Sequence, residues 1–325
     1  MKELYPIKFK PILKPMIWGG NDIPAFKNIK TELQNVGESW EVSGVNGNIS
    51  VVSEGQLAGK SLTELIAEYK DALVGKSIYN KYGETFPLLI KFIDAKSDLS
   101  IQVHPDDKLA KQRHNSFGKT EMWYVIDASD DAFLYTGFER LLTLDEYVKT
   151  VADNTFTDSL KRYDVKAGDV FYLPAGRVHA IGTGCFIAEI QQTSDITYRI
   201  YDYDRKDANG NARELHTELA KDAINFEVLD NYKTEYRNKT NEVVALASGP
   251  YFETNLIEFD SAIERNYSDI DSFVILICTE GSCHIATSAG NYAVNKGETI
   301  LIPAEIKDIK LVPNNHCKLL ETSAR

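Results

Sequence analysis

Apolar positions along this 325-residue chain fall mostly into short alternating or β-branched runs, broken by Gly, Asp and Asn. That is the pattern of strands with one or both faces buried. The clearest runs are Leu88 to Ile93, Ser100 to His104, Met122 to Ile126, Val170 to Leu173, Phe186 to Gln191 and Phe273 to Cys278. Three segments change to helical spacing. Ser61 and Glu64 form a capping box, and Leu62, Leu65, Ile66, Tyr69 and Leu73 make the apolar face behind it. Thr143 and Glu146 repeat the device, followed by Leu144, Tyr147, Val148 and Val151. A third helix is predicted from about Arg213 to Phe226. Many short strands with few helices predict a mainly β fold, a sandwich or barrel decorated by helices.

One stretch of this pattern occurs twice. Gly168-Asp-Val-Phe-Tyr-Leu-Pro174 is echoed by Gly297-Glu-Thr-Ile-Leu-Ile-Pro303, and the upstream run Met122 to Ile126 by Phe273 to Ile277. The repetition predicts two β-units in tandem, 1–238 with the helices and 239–325 without, the boundary falling near residues 235 to 245. In the first copy Gly168, Pro174, Gly176 and His179 fit G-x5-P-x-G-x2-H, which resembles the second signature motif of the cupin (jelly-roll) barrel. The fold expected is therefore two tandem cupin-like β-barrels. Aligned on its glycine, the second copy has Asp308 in place of His179 and Glu305 in place of Gly176. Aligned on its upstream strand, it sets Ser272 opposite Glu121. A metal site is expected in the first unit only.

Composition narrows the function classes. Apolar residues make up 43% and charged residues 26%, the balance of a globular protein. A net charge of −12 argues against nucleic acid or anionic membrane as partner, so a phosphorylated ligand would need cations gathered locally. Cys185, Cys278, Cys283 and Cys317 show no CxxC spacing, which points to reduced thiols and a cytoplasmic location. Met1 to Met16 lacks the apolar core of a signal peptide, and no run has the length of a membrane span.

The residues with chemistry cluster in the first unit. Gln102 and His104, two apart in a strand, face one side of the sheet; Glu121 opens the next strong strand, and His179 follows the repeated motif. Two imidazoles, a carboxylate and an amide oxygen converging in a barrel make a divalent-metal site. His114, His216, His284 and His316 lack such a setting and are read as structural. Gly182-Thr-Gly184 is read as a hairpin turn.

Leu99-Ser-Ile-Gln-Val-His-Pro-Asp106, Gly118-Lys-Thr-Glu-Met-Trp-Tyr124 and Ser194-Asp-Ile-Thr-Tyr-Arg-Ile-Tyr-Asp-Tyr-Asp-Arg205 resemble the type I mannose-6-phosphate isomerases. So do Trp18-Gly-Gly20, Glu38-Ser-Trp-Glu41 and Arg213-Glu-Leu-His216. The likeness runs to about residue 230 and more faintly beyond. It implies one zinc ion per chain on Gln102, His104, Glu121 and His179, and a catalytic arginine at Arg199. It also implies substrate contacts at Ser100, Lys119, Asp195 and Arg205, with Glu189 as a pocket acid. Lys119 and Arg205 would supply the local cations for a 6-phosphate. The family often has a tyrosine where this chain has Ile181. The chain has no room for the large helical domain of longer members, as in the short bacterial form. The activity implied is aldose–ketose isomerisation of a small sugar phosphate by a monomer or homodimer. Two rivals come from the residues alone. Two histidines and a carboxylate also suit a non-haem metal oxygenase, and a cupin can bind a sugar without turning it over. From charge pattern alone, Arg199 and Arg205 also read as an ion-pair ladder with Asp195, Asp202 and Asp204.

Overall fold

The computed structural model describes residues 2–206 and 209–325, and their strands fall into three sheets. The central one is six-stranded, in the spatial order Ile12–Pro15, Val36–Ser43, Leu88–Ala95, Cys185–Gln192, Glu121–Ala128, Val170–Leu173. A five-stranded sheet runs Tyr198–Tyr201, Ile101–Val103, His179–Ile181, Phe133–Phe138, Leu160–Asp164. An eight-stranded sheet is built on Val274–Thr287, Thr299–Ile302 and Asp308–Ala324. The fold is mainly β, as the alternating pattern requires. Its ladders are open: no pairing among the described residues joins the edges of the six- and five-stranded sheets.

Side-chain alternation explains how the central sheet serves two masters. Ile93, Trp123, Val125 and Ile187 point to one face and pack with Leu134 and Ile181 of the five-stranded sheet. Ile90, Phe92, Met122, Tyr124, Ala188 and Ile190 point to the other. There they join one core with the helix Leu62–Tyr69 and with Phe252, Ile275, Leu301 and Leu320 of the eight-stranded sheet. The near-continuous apolar run Leu88–Ala95 is thus a strand buried throughout.

The two repeated copies adopt one design. Gly168 and Gly297 take φ of 91° and 82°, where a Cβ would be strained. Each is followed by a strand antiparallel to its upstream partner. Leu173 pairs with Glu121, and Ile302, at the same place in its own copy, pairs with Val274. The ladder therefore sets Val274, not Ser272, at the position of Glu121. Val274 is buried among apolar neighbours, and Asp308 accepts from Asn266 Nδ2 at 2.5 Å. The strand Ile7–Lys8 crosses over to pair with Ile300 and Leu301 of the eight-stranded sheet.

Both capping boxes form as expected, at Ser61/Glu64 and Thr143/Glu146. The second helix turns Leu144 and Val148 outward, however, and buries Tyr147. The third predicted helix shrinks to Thr217–Lys221, because Arg213 to His216 are committed to the site described below. Lys70, at φ 49°, ends the first helix before Leu73, which falls instead in the separate helix Asp71–Val74. The short helices Asp22–Phe26, Lys76–Tyr82 and Asp107–His114 lie outside the three expected, most of them too brief to show a period. Gly182–Gly184 is no hairpin. The strands on either side of it pair into different sheets, so the turn carries the chain from one layer to the other. Among the described residues no helix is long and apolar enough to cross a membrane.

Candidate active site

Cross-strand register assembles the site on the inward face of the central sheet. Glu189 lies between Lys91 and Trp123 on its two neighbouring strands. Its carboxylate accepts from those two side chains, Lys91 Nζ at 2.9 Å and Trp123 Nε1 at 2.8 Å. Two residues along, Gln191 pairs with Glu121, and the same face carries the Glu121 carboxylate inward. His179 enters from the five-stranded sheet, where it pairs with Gln102, and His104 follows just after the strand that holds Gln102.

His104, Glu121 and His179 each offer a ligand atom, and these atoms lie within 4.8 Å of one another. All three side chains are buried. His179 Nε2 is 3.2 Å and His104 Nε2 3.6 Å from the Glu121 oxygens. The far nitrogens are spoken for: His104 Nδ1 donates to Ile196 O and His179 Nδ1 to Arg177 O, both at 2.8 Å. That choice of tautomer turns both Nε2 lone pairs toward Glu121. The edge of Trp123 rests against the His179 ring, 5.2 Å between centroids. Glu121 Oε1 and His179 Nε2 are buried without a hydrogen bond, and Glu121 Oε2 meets only the Lys119 ammonium, an arrangement that is costly for the first two atoms unless a cation lies between them. Burial pushes the His104 imidazole well below its ordinary pKa and brings His179 down to about 4, which favours the neutral form of both rings. The donor set fits a divalent metal ion. Among the described residues it is the one such group.

Beside this centre opens a cavity of about 210 Å³. Ser100, Gln102, Lys119, Glu189, Asp195 and Arg199 line it, together with Trp18, Glu38, Trp40, Lys91 and Arg213. Lys119 joins cavity to centre, its Nζ 3.0 Å from both His104 Nε2 and Glu121 Oε2. Arg199 donates through Nη1 to Glu214 O at 2.9 Å, and its Nε is buried without a partner. Burial, and then the Arg213 charge, lower its pKa. Burial opposes a charge on Glu189, but Lys91 and Lys119 hold it below the usual carboxylate range. Glu121 goes the other way, raised by burial and by the Glu189 charge. Burial also opposes a charge on Lys91, yet Glu189 and Glu38 more than compensate and its pKa stands above the ordinary lysine value.

Of the residues singled out from the sequence, Arg205 lies outside the cavity lining. It donates to Asp98 O and to Asp202 Oδ1. Lys91, Glu38, Trp40 and Arg213 had been given no role. Lys91 does leave a signal, as a charge in the middle of an otherwise apolar buried strand. Arg213 and Glu38 leave only their place in family-like segments. His114 and His216, read as structural, support the strand of Arg199: His114 Nε2 meets Tyr198 OH at 2.7 Å, and Arg199 N donates to His216 Nδ1 at 3.2 Å.

Fold and site together define the class, a mainly β, cupin-like protein whose buried His–Glu–His centre can hold a metal ion next to a basic cavity. Residues 7–130 match the family model for phosphomannose isomerase type I, catalytic domain. Mannose-6-phosphate isomerase ManA of Bacillus subtilis is 34% identical over 315 residues, covering 96% of this chain and 97% of that one. Mannose-6-phosphate isomerase of Streptococcus mutans is 34% identical over 303 residues, 93% of each chain. The crystal structure of mannose 6-phosphate isomerase from Bacillus subtilis matches with a TM-score of 0.87 at 32% identity, over 98% of this chain and 99% of that one. The chain belongs to the type I mannose-6-phosphate isomerases.

Proposed function

We propose that this enzyme interconverts mannose 6-phosphate and fructose 6-phosphate with one zinc ion per chain. His104, Glu121 and His179 hold the ion, and the Gln102 amide oxygen is a fourth ligand. The observation that carries this reading is the buried donor set opening onto a cavity lined by Lys91, Lys119, Arg199 and Arg213. Zinc, when bound, would supply a Lewis acid for the oxygens at C1 and C2.

The reaction moves a proton from C2 to C1 while the carbonyl passes from C1 to C2, through a cis-enediol. Negative charge develops on the two oxygens as the carbon-bound proton leaves. Arg199 is the residue placed to meet that charge, since it is permanently cationic and one edge of it is already fixed by Glu214. Ser100, Asp195 and Lys119 contact the sugar. Glu189 is held ionised by Lys91 and Trp123 and orients the wall against which the sugar lies.

The tandem organisation is part of the same proposal, 1–238 as the catalytic cupin-like unit and 239–325 as a second jelly-roll unit without a site. The four buried free thiols suit a reducing compartment, and we take the cytoplasm as its place, the enzyme acting as monomer or homodimer. A coupled assay of mannose 6-phosphate to fructose 6-phosphate tests the reading. Turnover should vanish on chelation and return with zinc. Binding without conversion, or oxygen consumption in place of isomerisation, would refute it.

A further inference from the structure

We propose that Arg213 is the residue that grips the substrate phosphate, that Asp202 positions it, and that Arg205 braces Asp202 from outside the cavity. The proposal rests on the isomerase reading and names a contact within that site.

Four cations line the cavity, and they are not equivalent. Lys91 is matched by Glu189 at 2.9 Å and Lys119 by Glu121 at 3.0 Å, both pairs buried beside the metal ligands. Arg199 and Arg213 lie outside those two pairs, on a lining that also carries Asp195 and Glu38. Asp202 is the carboxylate bonded to Arg213, and it serves two guanidiniums at once. Arg213 grips it through Nε at 2.7 Å and Nη2 at 2.5 Å, and Arg205 Nη2 reaches the same Oδ1 at 2.5 Å. The fork-on-fork bond fixes the plane of the Arg213 guanidinium and takes two of its five N–H groups. Two arginines on one carboxylate leave a net positive charge, on a chain whose overall charge of −12 would otherwise repel a phosphate.

Position along the strand sets the order of contacts. Arg199 is the ladder partner of Gln102, hence next to the metal centre. The strand runs on through a bulge to Tyr201, opposite Ile101, and Asp202 follows its end, on the side away from His104. Glu214 O and the His216 backbone tie the segment after Arg213 to Arg199 itself, at 2.9 and 2.7 Å. A hexose 6-phosphate laid with C1 and C2 at the centre and Arg199 extends its phosphate toward Arg213. Arg205 does not line the cavity; its two Nη groups are directed to Asp98 O and Asp202 Oδ1.

The test compares the zinc-loaded full chain with Arg213→Gln, Arg213→Lys and Arg205→Gln. It reads kcat and KM for mannose 6-phosphate and the inhibition constant of inorganic phosphate, with melting curves to confirm folding. Losing a charge-assisted contact should raise KM and the phosphate inhibition constant together, about tenfold to a hundredfold, with a smaller fall in kcat. Arg213→Lys should recover part of both, and Arg205→Gln should shift both less than Arg213→Gln. An unchanged phosphate inhibition constant in Arg213→Gln, or a larger shift in Arg205→Gln, overturns the proposal. If the natural chain fails to isomerise mannose 6-phosphate at all, the functional reading falls. Calorimetric titration with inorganic phosphate, natural chain against Arg213→Gln, then still decides whether Arg213 is an anion site.

Discussion

His179 and Arg199 pair with Gln102 from its two neighbouring strands but do different work, and substitution should separate them. His179→Ala removes a buried nitrogen from the proposed metal centre, so metal content and turnover should be lost together. Arg199→Ala should keep the metal and lose turnover by a hundredfold or more, the scale of losing a charge-stabilising donor. Metal analysis beside kinetics on the two variants makes the check, and near-normal turnover of Arg199→Ala would remove it from the mechanism. Asp202 makes a prediction in pH. Burial opposes its charge, yet Arg213 and Arg205 hold its pKa below the ordinary aspartate value. A depressed folded pKa contributes stability in full above the unfolded value of about 3.9, and that contribution fades as pH falls through the folded value. Asp202→Asn should therefore cost stability, about 2 kcal/mol at pH 7, by a roughly constant amount from pH 5 to 8. In urea unfolding the difference from the natural chain should disappear in strong acid. A difference that grew on acidification would mean the charge pair is not the cause.

At the scale of elements, local rules held where an element is self-contained. Ser61 accepts from Glu64 N while Glu64 accepts from Ser61 N, so the helix Leu62–Tyr69 begins where its own sequence says. Ser61→Ala should cost about 1 kcal/mol of global stability and leave kcat and KM unchanged, since the cap is remote from the cavity. The Thr143 box was equally legible, but the face its helix would bury was not. Leu144 and Val148 fit the helical period and are exposed, at 48% and 41%, because only the Tyr147 side meets the five-stranded sheet. The segment Arg213 to Phe226 reads as a helix by composition. Arg213 bonds to Asp202 and the His216 N–H to Arg199 O, and those bonds hold the first turn away from helical geometry.

At the scale of the whole molecule, the two units proposed from the repeat are joined more closely than a simple tandem would be. One apolar core contains Leu65 and Phe92 from the first unit and Phe252, Ile275 and Leu320 from the second. The second unit also reaches toward the site. Tyr251 OH donates to Asp107 Oδ2 at 2.8 Å, and the other oxygen of Asp107 accepts from Gly118 N, next to Lys119, at 2.8 Å. Two units that share a core should unfold together. A single calorimetric transition is therefore expected for the full chain, and residues 239–325 expressed alone should lack cooperative unfolding. Two separate transitions, or a folded isolated fragment, would show the units to be independent.

Most of the His104–Glu121–His179 cluster was readable from the sequence, because a turn glycine, a closing proline and the spacing of His179 are local features, and Gln102 and His104 share a face by strand period alone. The mainly β character and two of the helix starts were readable for the same reason: each depends on neighbours a few residues away. What the sequence left open depends on register between distant strands. Only the tertiary structure sets Glu189 between Lys91 and Trp123, brings Arg213 rather than Arg205 to the cavity, and places Val274 where Glu121 stands in the other copy. A one-residue slip in any ladder would turn these side chains to the opposite face. Burial of both faces of the central sheet excludes that slip, and that burial is a property of the assembled molecule.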